Sequence, residues 1–91
     1  MHRVVITAQV DDAVKWEELF RTRGELFRRQ TVKTVHFTVP ETNQATICFY
    51  VDDLDTYMQI LESAETAEAM AQDGVHRDTV KVSVLDKEFQ P

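Results

Sequence analysis

The chain lacks most of what marks a specialised class of protein. Its only cysteine is Cys48, so no internal disulfide can form. With just two glycines and two prolines it has no flexible linker and no glycine-rich phosphate loop. No apolar run approaches the roughly 20 residues needed to span a bilayer. The opening stretch, Met1 to Val10, breaks its apolar run at Thr7 and Gln9, unlike a secretory leader. Positive charge is scarce: ten Lys and Arg stand against sixteen Asp and Glu, for a net charge of −6. Such a chain repels phosphate backbones and anionic membrane surfaces, so neither nucleic acid nor membrane is an expected partner. Together these absences point to the cytoplasm.

What is present suits a folded globule. Hydrophobic residues make up 43% and charged residues 29% of the chain. Ninety-one residues suffice for a single domain spanning 1–91. A chain this short buries roughly two thirds of its unfolded surface, which leaves little for a deep private pocket.

Arg3 to Val10 is rich in β-branched residues and predicts a first strand. Asp11 or Asp12 then caps a helix predicted from Ala13 to about Arg29. Trp16, Leu19, Phe20, Leu26 and Phe27 recur at spacings of three and four along it. Gly24 falls on the same stripe, which implies either close approach to a sheet or a kink that splits the helix. The arginines at 21, 23, 28 and 29 read as a solvated face balanced by Glu17, Glu18 and Glu25.

Val32 to Val39 and Ala45 to Val51 predict an antiparallel hairpin around the polar turn 40–44. A second helical segment follows the Asp52-Asp53 cap, with Leu54, Tyr57, Met58 and Leu61 on its apolar face. Ser63 starts a further short helix reaching Asp73, and Gly74 ends it. Thr79 to Leu85 alternates as a fourth strand, and residues 86–91 form an extended tail.

The order β-α-β-β-α-β predicts an α+β, ferredoxin-like architecture: a four-stranded antiparallel sheet with its helices on one face. The other face is not fully polar. Strand one offers Val5 beside Thr7 and Gln9, and strand three offers Cys48 and Tyr50. A mixed face of this kind fits cover by a second subunit, hence a homodimer.

The hairpin also gathers the residues best suited to chemistry. Two registers are open. One sets His36 opposite Cys48 and Thr34 opposite Tyr50; the other sets His36 opposite Tyr50 and Thr38 opposite Cys48. In both, an imidazole shares a face with a phenol and hydroxyls, able to polarise a phenolic or enolic ligand. His36 and Tyr50 are therefore the catalytic candidates. Thr34, Cys48, Trp16, Tyr57 and His76 are candidates for ligand contact. The plainer alternative makes the strand residues a mixed dimer interface, Trp16 and Tyr57 core, and His76 an exposed loop residue. The histidines at 2, 36 and 76 are scattered without metal-ligand spacing, so no metal is expected. No nucleotide or cofactor motif is present either.

Val10-Asp11-Asp12-Ala13-Val14-Lys15-Trp16 resembles the V-x-D-x-x-x-W entry to helix one of the dimeric α+β barrel proteins. Val51-Asp52-Asp53-Leu54 resembles their entry to helix two. Ser63-Ala64-Glu65, Ala69-Met70 and Gly74-Val75 resemble their S-x-E…A-M…G-V stretch. That superfamily includes cofactor-independent antibiotic-biosynthesis monooxygenases, polyketide-type cyclases and stress-responsive barrels. The resemblance implies a dimeric α+β barrel with a small-molecule pocket between helices and sheet. It also implies, at its most specific, a cofactor-independent monooxygenase or cyclase acting on a small aromatic or polyketide-like compound. Relatives often carry a histidine two residues before the entry valine, where this chain has Ala8. The Asn/Trp/Tyr/Arg constellation of the quinone-forming monooxygenases is absent. A non-catalytic binding or structural dimer is the alternative. An RNA-binding role fails on charge and on missing basic-aromatic strand motifs, and a metallochaperone fails on the missing cysteine pair.

Overall fold

The computed structural model describes residues Met1–Pro91. The chain forms β1 (His2–Gln9), α1 (Ala13–Phe20), α2 (Gly24–Arg29), β2 (Val32–Thr38), β3 (Gln44–Val51), α3 (Leu54–Leu61), α4 (Ala64–Gln72) and β4 (Lys81–Leu85). The strands make one antiparallel sheet in the order β2-β3-β1-β4. All four helices pack on one face, as the amphipathic pattern requires. No helix is long and apolar enough to cross a membrane.

The predicted first helix is two helices. The chain leaves α1 after Phe20 and re-enters helix at Gly24. A methyl group at Gly24 would meet the Arg28 side chain at an ordinary 3.6 Å, so the glycine does not mark a close approach to the sheet. Trp16, Phe20 and Leu26 all stay buried on either side of the break. The fourth strand starts two residues later than predicted, after a single 3-10 turn at Arg77–Thr79.

The capping chemistry is local and legible. Asp12 accepts from the Lys15 N–H at 3.0 Å, Asp53 from Thr56 at 3.1 Å and Ser63 from Thr66 at 3.3 Å. At the end of α4 the Val75 N–H reaches the Met70 carbonyl and the Gly74 N–H reaches Ala71, a Schellman closure. Gly74 holds a φ of +75°, where a side chain would also press within 3.2 Å of the Asp11 carboxylate.

The hairpin adopts the register that pairs His36 with Cys48 and Thr34 with Tyr50. A bulge at Lys33 lets Val32 pair with Val51 and turn inward, while Thr34 and His36 face outward. The covered face carries Val4, Ile6, Ala8, Ala45, Ile47, Phe49 and Val51, all buried. The opposite face carries Arg3, Val5, Thr7, Thr34, His36, Thr38, Thr46, Cys48 and Tyr50. Nothing in the chain covers it. Every residue of β4 is exposed, including Val82 and Val84, which lie on the helix side at an edge the helices do not reach.

Candidate functional site

Between the covered face and the helices lies a cavity of about 70 Å³. Small residues create it. Ala8 and Ala45 sit directly opposite each other in the sheet, and Ala69 approaches from α4. Three methyl groups in one place leave space that larger neighbours do not fill. Ala8 is also the position where the resemblance calls for a histidine, so the chain presents a methyl group to the cavity there. The walls are mainly apolar, with aliphatic side chains and five aromatic rings. Trp16 stacks on Phe20 at 4.5 Å between ring centres, and Phe49 lies 5.7 Å from Tyr57.

Besides the Trp16 indole, five lining side chains carry polar atoms: Arg23, Gln30, Tyr57, Thr66 and Asp73. Three of them are occupied within the protein. Arg23 donates to both carboxylate oxygens of Asp73, at 2.6 and 3.3 Å, and also to Gln72 at 3.1 Å. The Asp73 side chain is only 6% exposed and that of Arg23 22%. The bond to Asp73 raises the guanidinium pKa against the opposing effect of burial, so the pair is an ion pair that cancels its own charge. The Thr66 hydroxyl donates to the Ile60 carbonyl at 2.5 Å.

The other two are free. Tyr57 is fully buried and its hydroxyl has no hydrogen-bond partner. Burial pushes its phenol pKa far above the ordinary 10.0, so it remains a neutral O–H donor. Gln30, at the end of α2, is 2% exposed, and its carboxamide makes no hydrogen bond to another group of the chain. A buried polar group left unmatched costs about 1–3 kcal/mol, so the Tyr57 hydroxyl is expensive as pure filling.

The residues singled out from sequence fall on two sides of the sheet. Trp16 and Tyr57 line the cavity. Thr34, His36, Cys48 and Tyr50 gather on the open face. There the His36 and Tyr50 rings meet edge to face, 5.1 Å apart, and the Arg3 guanidinium lies 5.5 Å from the Tyr50 ring centre. His36 itself is exposed. His76 lies at the α4–β4 junction, exposed, with Nε2 2.5 Å from an Asp11 carboxylate oxygen. Its neighbour Val75 lines the cavity, and His76 does not. No group of three His, Cys, Asp or Glu side chains converges closely enough to hold a metal ion.

Sequence reasoning missed Arg23, Gln30, Thr66 and Asp73. Arg23 was expected on a solvated face, yet it pairs with an aspartate fifty positions away. Arg29 likewise reaches across to Glu65 on α4, and only Arg21 keeps the expected local partner, Glu17. A signal existed for Gln30: it follows Leu26 by four residues and so shares its buried stripe.

No family model matches the chain, and no curated protein matches it. Solved structures do. A putative antibiotic biosynthesis monooxygenase from Bordetella bronchiseptica superposes with a TM-score of 0.72 at 14% identity, covering 97% of each chain. SnoaB, a cofactor-independent oxygenase from Streptomyces nogalater, gives 0.70 at 16% identity, covering 98% of this chain and 94% of its own. A further antibiotic biosynthesis monooxygenase gives 0.69 at 12% identity, covering 97% and 99%. The chain shares the fold of these three proteins. At these identities the likeness establishes architecture over nearly the whole chain, in agreement with the short entry motifs at Val10–Trp16 and Val51–Leu54. It carries no residue roles with it.

Proposed function

We propose that the chain binds a small aromatic or enolic compound between helices and sheet and oxygenates it without a cofactor. The observation that carries this is the apolar cavity holding the unmatched Tyr57 hydroxyl. SnoaB, with the same fold, is a cofactor-independent oxygenase, which supports the choice of reaction.

The chemistry asks little of the protein. An enolisable ring carbon that gives its proton to a solvent water at the cavity opening becomes a carbanion able to pass its electrons to O₂. A CH₂ group then becomes a carbonyl: one oxygen atom enters the product, and the other leaves as water with the two hydrogens. The substrate itself is the reductant. The protein must exclude water, hold the ring flat against Trp16 and Phe20, and offer an O–H donor to the developing oxyanion. Tyr57 is that donor.

One observation favours binding without turnover. The cavity holds no free base, because Asp73 is engaged by Arg23 and His36 lies beyond the sheet. Oxygen uptake separates the two readings. Enolisable hydroxyaromatics that raise the melting temperature should also drive O₂ consumption by the protein alone. Binding without uptake would leave a carrier, and a broad panel with no stabilising compound would remove both.

The same reading makes the chain a homodimer through the open face, giving Val5, Cys48 and Tyr50 an apolar partner surface. The catalytic candidates His36 and Tyr50 would then lie in the interface, beside Thr34. Sedimentation at micromolar concentration tests this, and a monomer there would contradict it. A cytoplasmic setting fits the lone Cys48, which such an interface would shelter from oxidation.

A further inference from the structure

We infer that Gln30 and Tyr57 are the specificity-determining pair of the cavity, and that they select an uncharged single-ring compound bearing a hydroxyl or carbonyl group. The inference rests on the cavity being the ligand site and narrows what that site accepts.

Three observations lead there. The first is the state of each polar group in the lining. Arg23, Asp73 and Thr66 already have partners in the protein, whereas the Tyr57 hydroxyl is buried without one, and the Gln30 carboxamide, on a residue 2% exposed in the same lining, makes no hydrogen bond within the chain. A ligand that enters is met by one O–H donor and by an amide that both donates and accepts. A phenol or cyclic ketone satisfies such a pair, and a plain hydrocarbon leaves it unmatched. The second is charge. The only ionised groups in the lining are Arg23 and Asp73, which neutralise each other at 2.6 Å. A carboxylate or ammonium entering the cavity would lose its hydration and gain no counter-charge. The third is size. The cavity is about 70 Å³, roughly half the volume of an engineered apolar cavity that admits benzene. One ring with modest relaxation of the walls is the ceiling, and fused rings require the helices to move.

Gln30 is also positioned with unusual firmness. The next residue, Thr31, holds a φ of +64°, a conformation β-branched residues avoid. It is secured across the fold: its hydroxyl accepts from the Asp53 N–H at 2.9 Å and its carbonyl accepts from the Asp52 N–H at 3.0 Å. The loop entering α3 therefore anchors the end of α2. One junction sets both Gln30 and the helix that carries Tyr57.

Trp16 is the only tryptophan and lines the cavity, so its indole N–H signal in a nitrogen–proton correlation spectrum reports occupancy directly. The probes are phenol, toluene, benzoate and naphthol, titrated against the wild type, Tyr57→Phe, Gln30→Leu and the double variant. Both substitutions nearly conserve shape, and the same spectrum verifies that each variant is folded. Phenol should shift the signal saturably and bind roughly tenfold more tightly than toluene, as one or two matched hydrogen bonds imply. The double variant should lose that preference while still binding toluene. Benzoate should produce no saturable shift, and naphthol should bind more weakly than phenol. Equal affinity for phenol and toluene in the wild type, or an unchanged preference in the double variant, overturns the role of Gln30 and Tyr57 while leaving the cavity as a site. Saturable benzoate binding overturns the charge selection, and naphthol binding as tight as phenol overturns the size limit. If no probe moves the Trp16 signal, the cavity is not the ligand site and both proposals fall.

Discussion

The two faces of this sheet are built from alternate residues of the same strands, yet they differ in almost every respect. On the covered face, Val4, Ile6, Ile47, Phe49 and Val51 meet the helices and lose contact with water. On the open face, His36, Cys48, Tyr50 and Arg3 form a cluster with obvious chemical potential and no enclosure. Reactive residue types are concentrated where water is free to compete with them. The unmatched Tyr57 hydroxyl, and Gln30 beside the same cavity, sit where water is largely excluded and each hydrogen bond weighs more. Residue type alone is thus a poor guide to a site, because enclosure decides what a polar group can do.

The sharpest way to break this comparison is one aromatic deletion on each face. Trp16→Ala should cost about 3–5 kcal/mol, since it removes a buried ring stacked on Phe20. Tyr50→Ala should cost less, about 1–2 kcal/mol in dilute solution, because its ring is only partly buried. Urea denaturation measures both. Equal costs would mean that the open face is covered in solution as thoroughly as the other.

Charge offers the next test. Arg23→Met should cost about 3 kcal/mol by stranding the buried Asp73 carboxylate. The double change Arg23→Met with Asp73→Leu should recover most of that loss. A double variant no better than the single would show that the pair shapes the cavity mouth instead of merely cancelling charge.

Removing the free hydroxyl should act in the opposite direction. Tyr57→Phe should stabilise the ligand-free protein by about 1 kcal/mol, because the unmatched oxygen is gone. The pH dependence follows from the raised Tyr57 pKa. Below pH 10.0 the phenol is neutral in both folded and unfolded chains and contributes no slope. Above it the unfolded phenol ionises while the folded one keeps its proton, so stability falls as pH rises. Tyr57→Phe should remove that part of the alkaline loss. A destabilised Tyr57→Phe protein would mean that the hydroxyl has a partner after all.

The smallest effect belongs to a control that lies on neither face. The Asp53 carboxylate accepts the Thr56 N–H, which lowers its pKa below the usual 3.8. Its contribution is therefore present above that value and lost as pH falls through the lower, folded value. Asp53→Asn still caps α3 but cannot titrate, so its acid unfolding profile should be flatter below pH 3.8, with little change at neutrality. Thermal melts across the acid range measure it.

Much of the architecture was legible because its causes are local. Asp12, Asp53 and Ser63 announce helix starts by a side-chain oxygen two or three residues ahead of the N–H it accepts from. Gly74 announces a stop by the φ that only glycine adopts freely. Strand alternation placed Thr34, His36 and Thr38 on one face and Val35 and Phe37 on the other. The break at Arg21–Arg23 was harder to place, since Leu26 and Phe27 follow Leu19 and Phe20 by seven residues each and so continue the stripe across it. The partner of Arg23 was not legible, because nothing near position 23 points to position 73. The hairpin register stayed open between two values until the Asn43 turn, with its φ of +61°, selected one.

The sequence by itself determined the order of elements, the face each strand residue takes and the net acidity of the chain. These follow from periodicity, capping and summed charge, which are properties of neighbours along the chain. Only the tertiary structure decided that Ala8, Ala45 and Ala69 meet to leave a cavity, that Asp73 neutralises Arg23, and that Gln30 and Tyr57 end beside that cavity without partners. Those are properties of distant segments brought together, and the physics of a buried polar group depends on what surrounds it and not on its place in the chain.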